Sequence, residues 1–342
     1  MAGVFLRKNV KLLTADETSA FQRAVQALKD NGKYDRYAKV HETAMNDGSA
    51  HRGPAFLPWH CKFLMDFEND LRAVTPGLSV PYWDWSSDSA DPEHAAVWGV
   101  VGGRGDPNDG YKVKDGPFTA DKGWSITREF FGRQQFPTPQ DVAEVLDLSA
   151  YDTAPWNEDS EDSFRNTLEG WAKGVDDPQL HNLIHVWIGG SMGPPTSPDD
   201  PIFWLHHCNT DRLHWQWGRQ MRQYAPSSGA RLGQNFHDPM SPWGAGTTPQ
   251  SVLYSRQYSY DGINIPNLNG ETMGDLPAIV RGLGITFVKS GDTADDDVVV
   301  DQTPAPGTWL AVGSECHVTG RAQGNDNGDG SGDGPDEGDD PA

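Results

Sequence analysis

The 342-residue chain carries 49 acidic side chains against 27 basic ones, a net charge of −22. That balance excludes nucleic acid as a partner, because a polyanion would be repelled rather than neutralised, and no apolar run reaches membrane-spanning length. With 36% hydrophobic residues the sequence supports one large core and a smaller appendage. Three scattered cysteines, Cys61, Cys208 and Cys316, form neither a disulfide framework nor a thiolate metal site. The opening stretch lacks a continuous apolar segment, so no secretory signal is expected and a cytoplasmic location is the default. An acidic body with fewer lysines than arginines also suits a high-salt source.

In chain order, Thr14-Ala-Asp-Glu17 reads as a capping box, Phe21, Val25 and Leu28 as the buried stripe of the first helix, and Asn31-Gly32 as its stop. A second helix from Tyr34 to about Met45 places His41 inward. A Gly/Ser-rich loop delivers His51, and Phe56-Leu-Pro-Trp-His60 opens an amphipathic helix with His60, Phe63, Leu64, Phe67 and Leu71 on its inner stripe. Further on, His181 and His185 stand four apart in a run of helical period, so both imidazoles leave one face as a chelating pair. Asp200-Pro201 reads as N-cap and first turn of an apolar helix that delivers His206 and His207. Adjacent helical residues point about 100° apart, so one of these two is expected to join the pair and the other to stand behind it.

A lone histidine on an apolar face is more often a satisfied core residue than a ligand. Three such residues (41, 51 and 60) followed by a second set of three reverse that weighting. Imidazoles without thiolate or carboxylate at matching positions favour copper, with zinc as the rival.

The order His41, His51, His60 around Phe56-Leu-Pro-Trp, then Pro81-Tyr-Trp-Asp-Trp85, His181-x3-His185 and Asp200-Pro-Ile-Phe-Trp-Leu-His-His207, resembles the type-3 copper proteins, and within them the bacterial tyrosinases. The likeness runs from Arg7-Lys-Asn to Tyr258-Ser-Tyr260-Asp261. It implies a mainly α fold with a four-helix bundle around a dinuclear copper site. It also implies that His41, His51 and His60 bind one copper ion and His181, His185 and His207 the other, with His206 and Asp211 supporting. Glu169 and Asn182 match positions that hold a proton-accepting water in members that hydroxylate monophenols. Arg7 and the Tyr258-x-Tyr260 motif resemble the pair that ties the two ends of the core together. Dioxygen is the implied co-substrate, small phenols the implied substrates, and a copper-delivery helper an implied partner. The implied reactions are ortho-hydroxylation of monophenols and oxidation of o-diphenols to o-quinones. A catechol or o-aminophenol oxidase without the first step, or a haemocyanin-like oxygen carrier, shares the same ligand pattern.

The chain departs from that pattern in places. Ala172 to Pro178 is a longer connection that can displace Glu169, and Pro194 and Pro195 stiffen the stretch over the substrate entrance. His214 replaces an expected tryptophan and reads as structural. The expected organisation is a catalytic unit over 1–261, a small β-rich extension over 262–318, and an acidic Gly/Asp-rich tail over 319–342. Strands are expected at 278–281, 285–288, 297–300 and 308–312. If the extension is a lid, Phe287 or Trp309 is the candidate to cover the copper site; both fit equally well as core of a small sheet.

Overall fold

The computed structural model describes residues 4–131, 135–174, 177–220, 222–254 and 256–322. The acidic tail expected over 319–342 lies outside them beyond residue 322.

The first three helices form as their sequence signals require. Helix α1 (Ala15–Asp30) starts at the reciprocal Thr14/Glu17 capping box. Helix α2 (Tyr34–Asn46) carries buried His41, and α3 (Phe56–Val74) is buried along nearly its whole inner face, His60 included. The short helices α4 (Trp98–Val101), α5 (Pro139–Asp147) and α6 (Phe164–Glu169) follow, then α7 (Leu180–Ile188) and α8 (Ile202–Arg219). Helices α2, α3, α7 and α8 surround the histidines, with α1 packed behind α3.

Aromatic packing sets their spacing. Trp204 of α8 stacks on Phe67 of α3 with centroids 3.7 Å apart, and its Nε1 donates to the Tyr34 hydroxyl of α2 at 3.0 Å. Buried guanidinium–carboxylate pairs hold the joints between elements. Arg128 grips both oxygens of Asp200 at 2.8 and 2.7 Å, and Arg165 grips those of Asp152 at 2.8 and 2.9 Å. Removing either partner of such a pair would strand a buried charge, at a cost of roughly 3–5 kcal/mol. Asp200 also accepts from the Ile202 N–H at 3.1 Å. Helix α8 nevertheless begins at Ile202, one residue later than Pro201-based reading predicts.

The two ends of the core meet as a parallel pair, β1 (Phe5–Arg7) beside β2 (Tyr258–Tyr260). The Arg7 guanidinium lies 3.6 Å from the centre of the Tyr258 ring and 5.5 Å from that of Tyr260. It also donates to both Glu68 oxygens, at 2.8 and 2.9 Å, and to Asp211 at 2.8 Å.

The remaining chain forms β3 (Gly262–Asn264), paired antiparallel with β6 (Trp309–Ala311), and a three-stranded sheet. In that sheet β7 (Glu315–Arg321) lies between β4 (Thr286–Ser290), parallel to it, and β5 (Val298–Thr303), antiparallel. Two helical turns complete the element list: α9 (Pro249–Tyr254), before β2, and α10 (Leu276–Ile279), ahead of β4. The predicted strand at 278–281 is therefore corrected. Pro277 sits in the first turn, where its fixed φ favours a helix start, and so short an apolar run carries no period to arbitrate. Strand β7, central to the sheet, was not anticipated.

This extension is built into the core. Gly262 lies so close to Trp309 that a Cβ would stand 2.2 Å from its ring, and Gly307, with φ +77°, faces Pro139. Trp309 Nε1 donates to the Tyr82 hydroxyl at 2.8 Å, which donates to Asp261 at 2.6 Å.

Candidate metal centre

Three elements deliver the first triad. His41 comes from the middle of α2, His60 from the first turns of α3, and His51 from the loop between them. That loop has no secondary structure to fix it and is held by side chains instead. Gln234 Oε1 accepts from the Ala55 N–H at 2.7 Å, and the Tyr151 hydroxyl donates to the Pro54 carbonyl at 2.7 Å. The second triad comes from α7 and α8, one turn apart on α7 as the i, i+4 spacing requires.

The ring nitrogens divide into two roles. His41 Nδ1 lies 2.6 Å from the Pro195 carbonyl, His60 Nδ1 2.9 Å from that of Phe56, and His185 Nδ1 2.8 Å from that of Met192. His181 Nδ1 lies 3.0 Å from Asn182 Oδ1 and 3.3 Å from the Glu169 carbonyl. His51 Nδ1 lies 3.4 Å from Glu169 Oε1. Each acceptor requires the proton on Nδ1 and frees Nε2.

The freed nitrogens converge. His41 Nε2 is 3.2 Å from that of His51 and 3.4 Å from that of His60, and His207 Nε2 is 3.3 Å from both His181 and His185. Ligands about 2 Å from a tetrahedral metal stand about 3.3 Å apart. Lone pairs facing one another at that distance repel unless a cation lies between them, so both triads fit a metal ion. The triads are neighbours: the His60 and His207 rings stack with centroids 4.3 Å apart. His206 joins the second group, whose ligand atoms lie within 4.8 Å of one another, and its ring stacks on His181 at 4.9 Å. His207 is nevertheless the member whose Nε2 makes the close approaches.

Burial prepares the imidazoles to bind. It holds His41, His60, His181, His206 and His207 well below their ordinary pKa, and brings His185 down to about 4. They are neutral at physiological pH, as metal ligation requires.

Glu169 is fully buried, which answers the alternative of a surface carboxylate, and the longer connection has not carried it away from the histidines. Its Oε1 accepts from the Arg52 N–H at 2.7 Å and its Oε2 from Arg165 at 3.1 Å. Burial pushes its pKa up, but the hydrogen bond from His51 and the charge of Arg165 outweigh that, and the net shift is downward. Asn182 turns its Oδ1 to His181 and lines a cavity of about 370 Å³ that reaches His41, His51, His181 and His185. Pro194 lines the same cavity, whereas Pro195 contributes its carbonyl to His41.

Asp211 is placed with Arg7, Tyr260 and Arg256, at the closure of the core. His214 is buried against Arg256 at 2.8 Å, a structural position. Among the described residues lining the copper-side cavity none comes from 262–322, and Trp309 is hydrogen-bonded to Tyr82. Of the two readings of Phe287 and Trp309, the contact of Trp309 with Tyr82 favours a packing role. Sequence reasoning missed the carbonyls of Met192 and Pro195, which no pattern encodes. It also missed Phe203, whose ring stacks on His207 at 4.0 Å and whose place beside Trp204 in α8 was its only signal.

The family model for the common central domain of tyrosinase matches residues 31–220. The chain belongs to the tyrosinase family. It is 40% identical over 279 residues to the tyrosinase of Streptomyces glaucescens, covering 75% of this chain and 98% of that one. It is 34% identical over 309 residues to the grixazone synthase of Streptomyces griseus, covering 75% and 99%. The solved tyrosinase from Burkholderia thailandensis shares the fold, with a TM-score of 0.52 at 19% identity over 75% of this chain and 74% of that one. A second family model, the PASTA domain, matches residues 263–319. As a tyrosinase-family protein the chain is a dinuclear copper oxidoreductase that uses dioxygen. Among its described residues no helix is long and apolar enough to cross a membrane.

Proposed function

We propose that the protein is a tyrosinase that ortho-hydroxylates monophenols and oxidises o-diphenols to o-quinones. His41, His51 and His60 hold one copper ion, and His181, His185 and His207 hold the other. The observation that carries this reading is the convergence of six Nε2 atoms in two adjacent triads, four of whose histidines line an open cavity. The bound copper pair supplies the two-electron reduction of dioxygen that zinc cannot.

The chain's own residues supply the rest. Phe203 and Phe56 wall the histidines and exclude bulk water from behind them. A monophenol must shed its proton on entering, and Glu169 and Asn182 are the residues able to hold a water for it. With His181 occupying its Oδ1, Asn182 keeps its amide N–H groups for the cavity. Glu169, held ionised by its partners, serves better to orient that water and His51 than to keep the proton. Pro194 stiffens the mouth, through which a copper-delivery helper would also have to load the metal.

The test is oxygen uptake and quinone formation by the copper-loaded protein on tyrosine and on its o-diphenol. Turnover of both supports the reading. Turnover of the diphenol alone makes the protein a catechol oxidase. Reversible oxygen binding without turnover makes it an oxygen carrier, a reading the open cavity disfavours.

A further inference from the structure

We propose that Arg52 is a specificity residue that reads the carboxylate of phenols whose para side chain ends in an acid, an inference that rests on the phenol-oxidase reading above. The argument starts from the backbone. Arg52 has φ +57°, a left-handed conformation that a long side chain adopts at a cost of about 1 kcal/mol. It is held there because its N–H donates to Glu169 Oε1 at 2.7 Å. The residue that follows His51 is thus fixed relative to the triad while its side chain projects along the cavity wall.

That side chain is available. Its guanidinium lies 5.3 Å from the centre of the Trp171 ring, which lines the same cavity, and Nη1 is 3.4 Å from Glu158 Oε1. The side chain is 61% exposed, so this long ion pair is weak and easily exchanged. Among the described residues that line the cavity, Arg52 and Asp177 are the charged ones. A phenol with its hydroxyl directed at the histidines extends its para substituent toward the mouth. A carboxylate there is repelled by Asp177 and has Arg52 as its partner, in the bidentate geometry guanidinium favours. A neutral substituent gains nothing from the charge.

The experiment uses the copper-loaded full chain under anaerobic conditions. Calorimetric titration compares 3-(4-hydroxyphenyl)propionate with p-cresol. The wild type is expected to bind the acid about three- to tenfold more tightly than the cresol. Arg52→Gln is expected to abolish that ratio, and Arg52→Lys, which keeps the charge, to retain part of it. An unchanged ratio in Arg52→Gln would overturn the inference. So would equal loss in both variants, because charge would then not be what is read. Oxygen uptake on the same pair should place the discrimination in KM rather than kcat, since the contact persists unchanged into the transition state. Failure to oxidise either phenol would count against the oxidase reading, while the anaerobic ratio decides the role of Arg52 by itself.

Discussion

Glu169→Gln separates the two reactions. The carboxylate accepts from the Arg52 N–H at 2.7 Å and from Arg165 at 3.1 Å, and lies 3.4 Å from His51 Nδ1. An amide that keeps its oxygen toward the Arg52 N–H and His51, which share Oε1, is a weaker acceptor than the carboxylate and presents its NH2 group to Arg165. Arg165 keeps Asp152, so its charge is not stranded. The structural loss is then about one charge-assisted hydrogen bond, roughly 1.5–3 kcal/mol, read as a lowered Tm of the apo-protein. Weakening the partner of His51 should lower affinity for the first copper by about 10–100-fold, which excess copper restores. Under copper saturation the monophenol reaction, which needs a water oriented to accept its proton, should fall about 100-fold or more. The diphenol reaction should fall less than about tenfold. The assay is kcat/KM for tyrosine and for its o-diphenol on one copper-saturated preparation, with Asn182→Ala in parallel. Equal losses on the two substrates would refute the proton-handling role and leave Glu169 as a prop for His51.

Two further outcomes follow from the closure of the core and from the extension. Burial pushes the Asp211 carboxyl up, but Arg256 and Arg7 outweigh it and hold it at about 2. A folded-state pKa below the unfolded value of about 3.9 means stability that is present above about pH 4 and lost as pH falls toward 2, about 2 kcal/mol in all. Asp211→Asn should therefore flatten the dependence of apo-protein Tm on pH across that window, and an unaltered slope would show that other carboxylates set it. Trp309→Ala removes the contact with Gly262 and the hydrogen bond to Tyr82, and should cost about 2–3 kcal/mol, less than a fully buried tryptophan. Denaturant titration measures the loss. Activity per copper should not rise, and a rise would restore the idea that the extension covers the site.

Much of the fold and site was legible in the sequence where local rules act alone. The Thr14/Glu17 capping box, the stripe His60-Phe63-Leu64-Phe67 and the His181/His185 pair are short-range patterns, and each formed as spacing dictates. The choice of His207 over His206 followed from the resemblance, since periodicity said only that one of the two would turn away. The strand expected at 278–281 failed because four apolar-rich residues carry too little period to outweigh a proline in a first turn.

What the sequence by itself determined is the ligand inventory, the helices that bear it and the acidic surface, because these depend on residue type and on separations of a few positions. The tertiary structure alone decided which nitrogen of His41 and of His51 is free. That depends on the Pro195 carbonyl and the Glu169 carboxylate, which are remote in sequence and which only chain path brings within reach. It also decided that Glu169 is buried beside His51 and that Trp309 faces Tyr82 and not the copper cavity. Burial and partnership between residues more than a hundred positions apart follow from packing of the whole chain, and no local pattern encodes them.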